Sequence, residues 1–301
     1  MKRIIQAFGY LGSTMLAAAL LSWICVFLIN GLPGVYAWMA LKFIIPILGF
    51  VGVLLNILLI LVFIIKKKSI SDKWVPLALC TVLASHFLLT MNIIQLAYPV
   101  LINNVHPSVT VKWPFAEQTV VGWGGDSTDN NLPHVTWPSE RWAYDLVMEP
   151  YNTGSSNLED YGIWNQKVLS PVSGTIIAAF DDESDIVPGT EKFLSMEGNH
   201  VYLRIDATGT YLLLNHLKKD SVTVAVGDHV YAGEVLGHVG NSGSTSEPHL
   251  HIHHQRQDPT QTLLPILAEG LPLYFEGTNA EAMPLKETKV TPKDHTGYNC
   301  P

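Results

Sequence analysis

The chain has 301 residues, 48% of them hydrophobic and only 15% charged, and its formal charge is −8. That charge is split: residues 1–102 hold seven basic side chains and one acidic, and residues 103–301 hold eleven basic and twenty-five acidic. An acidic second part excludes a nucleic-acid-binding surface, which selects Lys and Arg. Its single cysteine, Cys300, excludes an intradomain disulfide there.

Three long apolar runs fill the first part, at residues 4–29, 41–65 and 74–102. Each meets the ~20 residues that a bilayer-spanning helix needs, so residues 1–102 read as a membrane domain with three transmembrane helices. Cys25 and Cys80 fall inside these spans. The first run follows Lys2-Arg3, and a cleaved signal peptide is its alternative reading. The run exceeds the ~7–15 apolar residues usual for such a leader. Lys2, Arg3 and the Lys66-Lys67-Lys68…Lys73 cluster orient the spans with both clusters inside. Residues 30–38 then form a short outer turn, and an odd number of spans delivers everything after residue 103 to the extracytoplasmic face. Three spans with almost no intramembrane charge disfavour a transporter.

Residues 103–133 read as a linker and a leading strand, whose aromatic-glycine patch at 121–126 is placed to flank a groove. From residue 134 short apolar runs recur every 8–12 residues between Gly, Asp and Asn turn signals, the mark of a mostly-β domain. No helix-period segment is expected after residue 110. Residues 147–166 read as an insertion. The acidic run Asp181-Asp182-Glu183-Ser184-Asp185 reads as a solvated hairpin tip, with calcium binding as the alternative. Residues 271–275 suggest a closing strand, so the β domain spans 134–276. The polar tail, 277–301, is expected to be poorly ordered.

Four of the twelve histidines fall within six residues, His249, His251, His253 and His254. Leu250 and Ile252 alternate with the first three, as in a half-buried strand, which puts His249, His251 and His253 on one face. Imidazoles so grouped make half a metal site; the alternative is an exposed strand that is merely rich in histidine. There is no His-Glu-x-x-His helix, which excludes the thermolysin arrangement, and no Gly-x-Ser-x-Gly nucleophile elbow.

The run Gly240-Asn241-Ser242-Gly243-Ser244-Thr245-Ser246-Glu247-Pro248-His249-Leu250-His251 resembles the signature of the lysostaphin/LytM-type zinc metallopeptidases, peptidase family M23. Matching segments precede it in family order: Ser170-Pro171-Val172-Ser173-Gly174, Gly198-Asn199-His200-Val201, the stretch from Tyr211 to His216-Leu217, and Val226-Gly227-Asp228-His229-Val230 with Gly233 to Gly237. The resemblance implies that His251 ligates Zn2+ and that His216 and His249 assist catalysis. The family's first zinc motif, His-x-x-x-Asp, is missing. Its places are assigned to His134 and Asp145, with ten residues between them, and Asp126 and Asp129 are fallback carboxylates; a loop of that size closes at little extra cost. The role of His253 is open.

What the resemblance implies as a whole is N-terminal transmembrane α-helices followed by a mostly-β soluble domain, an antiparallel sheet of the LytM or duplicated hybrid motif kind. The implied activity is that of a membrane-anchored, zinc-dependent endopeptidase. It cleaves peptide bonds in bacterial cell-wall peptidoglycan through a metal-activated water, on the extracytoplasmic side of the cell membrane. Its partners are then wall peptides as substrate and the lipid bilayer as anchor. The alternative is a catalytically inactive LytM-like domain that binds wall or regulates another hydrolase. A biotinyl- or lipoyl-like carrier would fit the hairpins but lacks the Lys-Met modification site.

Overall fold

The computed structural model describes residues 2–293, and the side chains of residue 10 and of residues 12 onward. Cys300 and the end of the polar tail lie outside the described residues. The chain divides into two compact units, Met1–Leu101 and Ile102–Pro301.

The first unit is helical. A helix at Lys2–Leu28 is followed, after a break of three residues, by a helical stretch running Leu32–Ile65. The break is shorter than the turn expected over 30–38. Gly31 takes φ 81°, which favours glycine, and Pro33 sits in the first turn, where its missing N–H costs nothing, so the next helix starts at once. Within the long helix a π-turn, Ala40–Ile44, leads into Ile45–Ile65. Pro46 lacks an N–H and its ring crowds the preceding turn, and the wider turn absorbs both defects. Ser71–Thr90 forms the next helical stretch. It is shorter than the expected 74–102 because Met91 ends the helix and Asn92 turns left-handed at φ 50°. Leu32–Ile65 and Ser71–Thr90 are long and apolar enough to cross a membrane, by length and composition. Leu54, Leu58, Leu61 and Ile65 all point outward and are exposed. On another face of the same helix, a Cβ on Gly49 would lie 2.2 Å from the Ala84 backbone nitrogen, so only glycine allows these two helices to approach so closely.

The second unit is built on an antiparallel sheet of nine strands. They are β1 (Thr119–Trp123), β2 (Tyr144–Val147), β3 (Gly174–Phe180), β4 (Asn199–Ile205), β5 (Tyr211–Leu217), β6 (His229–Val230), β7 (Leu250–Gln255), β8 (Gly270–Leu271) and β9 (Lys289–Val290). The order across the sheet is β9-β1-β2-β7-β5-β4-β3-β6, with β8 on the end of β7. Alternation sends Leu250, Ile252, Leu212, Leu214, Val201 and Leu203 to one face, where they meet Tyr144, Trp113 and Phe275 in the core. The opposite face carries the polar residues. Phe275 packs edge-on against both Trp113 and Tyr144, at ring separations of 4.6 and 5.0 Å.

Two expectations are corrected here. A short helix, Thr128–Val135, lies where none is expected. It is polar, contains Pro133 and is kinked at Asn131, so it shows no apolar period; it is held by tertiary contacts. The segment after Gly277 is ordered as far as it is described, because β9 pairs with β1 at Lys289↔Val120 and Val290↔Thr119. The acidic run at 181–185 is committed to backbone. Asp181 accepts from the Ser221 and Val222 amides, and Asp185 from those of Lys219 and Asn241.

Candidate metal centre

Strand register builds the site. His251 on β7 lies opposite Asp145 on β2 and Asn215 on β5, and Asp145 lies opposite Trp123 on β1. Residues opposite one another share a face, so Trp123, Asp145, His251 and Asn215 form one row on the polar face. The short helix adds His134 from above. Its Nε2 lies 3.4 Å from Asp145 Oδ2, while His251 Nδ1 lies 3.0 Å from Asp145 Oδ1. Donor atoms of His134, Asp145 and His251 all fall within 4.8 Å of one another.

Hydrogen bonds fix which nitrogen of each imidazole is free. Asn131 donates its amide to the carbonyls of Gly125 and Ala143, both at 3.0 Å, so its Oδ1 must accept from His134 Nδ1 at 2.7 Å. The Nε2 lone pair of His134 is thereby aimed at Asp145. A longer chain does the same for His251. Gln255 donates to the Gln257 carbonyl at 2.7 Å, leaving Oε1 to accept from His253 Nε2 at 3.2 Å. His253 Nδ1 then accepts from His251 Nε2 at 2.9 Å, and the free lone pair of His251 is on Nδ1.

His216 and His249 stand beside this triangle. His249 Nε2 is 3.6 Å from Asp145 Oδ1, and the His216 and His249 rings are 4.7 Å apart. Each is tied by Nδ1 to a backbone carbonyl at 2.8 Å, His216 to Ser242 and His249 to Glu247. His216 has φ 63°, and the β4–β5 register shifts beside it between Asn199 and Val201. The bulge turns a side chain that alternation would bury toward the histidines instead. The glycine motifs explain themselves at the same point. Gly198 and Gly243 both have positive φ, and a Cβ on Gly243 would lie 2.4 Å from the Gly198 nitrogen. Their contact holds the loop whose Ser242 carbonyl accepts from His216.

Charge follows from this packing. Burial pushes the Asp145 carboxyl upward, yet the charges that His134 and His249 carry when protonated, and the hydrogen bonds that protonated His134 and His251 donate in place of their free lone pairs, outweigh it and hold Asp145 well below the usual range. Burial opposes a charge on His134, and Asp145 overcomes it, with a smaller contribution from Glu140, so His134 is raised. His216 is lowered well below an ordinary histidine, by burial and then by the neighbouring His249 and His251. His253 is lowered likewise, by burial and then His251, which suits an acceptor.

The structure thus brings His134, Asp145, His251, His216 and His249 into one groove of about 320 Å³, with Trp123 on its wall. The fallback Asp126 is engaged elsewhere, 2.8 Å from Arg141 and accepting from Trp142 at 2.7 Å. Asn131, Asn215 and Gln255 are contributors that the motifs do not single out, whereas Ser242 belongs to the glycine-rich motif. Asn215 Oδ1 is buried beside the triangle with no hydrogen-bond partner among the described residues.

Residues 160–262 match the family model of peptidase family M23. The second unit carries an M23 peptidase domain. No curated protein matches the chain. Among solved structures it is similar to lysostaphin from Staphylococcus simulans, at 18% identity and TM-score 0.33, over 54% of this chain and 50% of that one. It is similar to the deep-sea M23 metalloprotease pseudoalterin, at 14% identity and TM-score 0.35, over 60% and 94%. A zinc-containing peptidase from Vibrio cholerae is a third, at 15% identity and TM-score 0.26, over 48% and 33%. The chain thus spans half of the lysostaphin structure and a third of the Vibrio one.

The donor set of the M23 domain fits Zn2+. Two imidazoles and a carboxylate are the ligands that catalytic zinc favours with a fourth position open. One donor atom from each of the three residues lies within 4.8 Å of the other two, the grouping that a shared ion requires.

Proposed function

We propose that this chain is a membrane-anchored zinc endopeptidase that cuts peptide bonds in bacterial peptidoglycan, with its catalytic unit on the extracytoplasmic side. The observation that carries the reading is the triangle of His134 Nε2, an Asp145 oxygen and His251 Nδ1, with each imidazole lone pair oriented by a partner behind the ring. When bound there, Zn2+ supplies Lewis acidity, polarising a scissile carbonyl and making a water acidic enough to attack it near neutral pH.

The protein's own groups do the rest. His216 and His249 keep Nδ1–H on backbone carbonyls and present Nε2 to the groove. A neutral imidazole so anchored accepts a proton from the attacking water, and once protonated hands it to the leaving amine. Either imidazolium also stabilises the negative charge that develops on the carbonyl oxygen. Asn215 Oδ1, without a partner in the protein, is placed to accept an N–H of the substrate backbone. A wall-binding domain without activity has no use for this arrangement of free Nε2 atoms, which favours the enzyme over the inactive alternative.

The test is metal content of the full chain beside His134→Ala, Asp145→Ala and His251→Ala, followed by digestion of purified peptidoglycan. One zinc per chain is expected in the parent and none in the three variants. His216→Ala and His249→Ala should retain zinc and lose at least a hundredfold in rate, the usual scale for a proton-transfer group. Zinc retained by all three ligand variants would sink the reading.

A further inference from the structure

Beside the metal row lies a second row in which only His253, the partner of His251, has a role so far. His253 pairs with Leu213, Leu213 with Tyr202, and Tyr202 with Ala178, across β7, β5, β4 and β3. This row is two residues along each strand from the one that holds His251 and Asn215, a displacement of ~7 Å. It floors a cavity of about 650 Å³, twice the volume of the metal groove. The walls are mainly apolar. Trp137 comes from one side, Leu264, Pro265 and Ile266 from the segment after β7. Two of its lining residues reach solvent: Leu264 is half exposed and Met196 is 62% exposed.

The cavity and the metal groove adjoin, since Glu140, Met196, Glu197 and Asn215 line both. Neither Glu140 nor Glu197 has a side-chain ion pair among the described residues. Two carboxylates at the junction oppose an acidic occupant. They equally disfavour a fatty acid or an anionic lipid, whose head group would be held against them.

An extended peptide lying across the metal row carries its next same-side side chain ~7 Å away, two residues from the reacting bond. That is the spacing between the two rows. Glycine or alanine, the small residues of a wall crosslink, would put only a hydrogen or a methyl into the cavity. A large apolar side chain would bury its surface there, at about 25 cal/mol per Å². We infer that the chain also cleaves polypeptides, selecting those with a large apolar residue two positions from the scissile bond, with the Trp137–Tyr202–Leu213–Leu264 cavity as the subsite.

This inference rests on the peptidase reading, and the experiment separates the two. The zinc-loaded full chain, in lipid nanodiscs, is offered octapeptides identical except for Gly or Phe two positions from a central Gly-Gly bond, on either side. The Phe peptide is expected to be cut with a kcat/KM at least tenfold above its Gly counterpart. In the His249→Ala variant, which binds without cutting, its Kd is expected to be at least tenfold lower. Leu264→Glu on the wall and Ala178→Trp on the floor should each draw both ratios toward one, with one zinc still bound per chain. Equal rates and equal Kd values for the two peptides overturn the subsite and leave the peptidase reading intact. A tenfold Kd ratio without cleavage of either peptide leaves the cavity as a binding site and overturns the cleavage of polypeptides; digestion of purified peptidoglycan by the same preparation then decides the peptidase reading separately. A fluorescent fatty acid that binds in a Leu264-dependent way, with no difference between the peptides, assigns the cavity to lipid and overturns the inference.

Discussion

Three side chains in line along one strand, ending on the backbone carbonyl of Gln257 just beyond it, decide which nitrogen of His251 is able to hold a metal. Gln257 accepts from Gln255, Gln255 from His253, and His253 from His251, so each proton's position follows from the one behind it. The partner behind a metal-bound imidazole is commonly a carboxylate or a carbonyl; here it is a second imidazole kept neutral by burial. His253→Phe keeps a ring of similar size on the strand and removes the acceptor. Zinc affinity should then fall by about 10–100-fold, measured by competition with a chelator, while Gln, which offers an amide oxygen, should recover part of it. His251 and Asp145 are legible in the sequence because a strand's period and a motif point to them. Asn131, Asn215 and Gln255 are not, because their roles depend on a carbonyl twelve residues away, on a cross-strand register and on an amide orientation. None of these leaves a pattern along the chain.

At the level of the element, β7 is buried on both faces, and its two faces do different things. The odd positions line the groove. On the other face, beyond Leu250 and Ile252, His254 accepts from the Thr210 hydroxyl at 2.6 Å and donates to the Pro272 carbonyl at 3.2 Å. Burial lowers its pKa to about 4, and the Arg256 charge adds to this. The unfolded chain therefore binds more protons than the folded one between pH ~6.5 and ~4. Stability is present above that window and is lost as the pH falls through it. From pH 7 to pH 5 the loss assignable to His254 is about 2 kcal/mol. It should appear as a drop in the urea midpoint of the parent that is smaller in His254→Gln; the same drop in both would assign it to other groups. Strands of this kind are legible because apolar positions alternate along them. The helix carrying His134 is not, since Pro133 and the kink at Asn131 erase the period, and neither is β9, whose two residues gain their place only by pairing with Thr119 and Val120.

For the whole molecule the question is on which side of a membrane the M23 domain works. The long helix Leu32–Ile65 holds Lys42 near its start and is followed at once by Lys66, Lys67 and Lys68. Residues 43–65 between these charges would span about 34 Å at ~1.5 Å per residue, close to the ~30 Å of a bilayer's hydrocarbon core with a modest tilt. Basic residues thus mark both edges of the span. The denser cluster, joined by Lys73, lies at the end after Ile65, the end that the proposed anchoring would put in the cytoplasm, where positive charge is in excess. On the proposed topology the 20-residue stretch Ser71–Thr90 would cross outward, and residues after 102 would emerge on the far side. Single cysteines in a background without Cys25, Cys80 and Cys300 test this in intact cells. Ala207→Cys, in an exposed turn of the second unit, should react with a membrane-impermeant maleimide, and Ser69→Cys, in the exposed loop between the helices, should react only after lysis. The opposite pattern would place the M23 domain in the cytoplasm, away from any wall. Peptidoglycan would then be out of its reach, and only the polypeptide activity would remain to be tested.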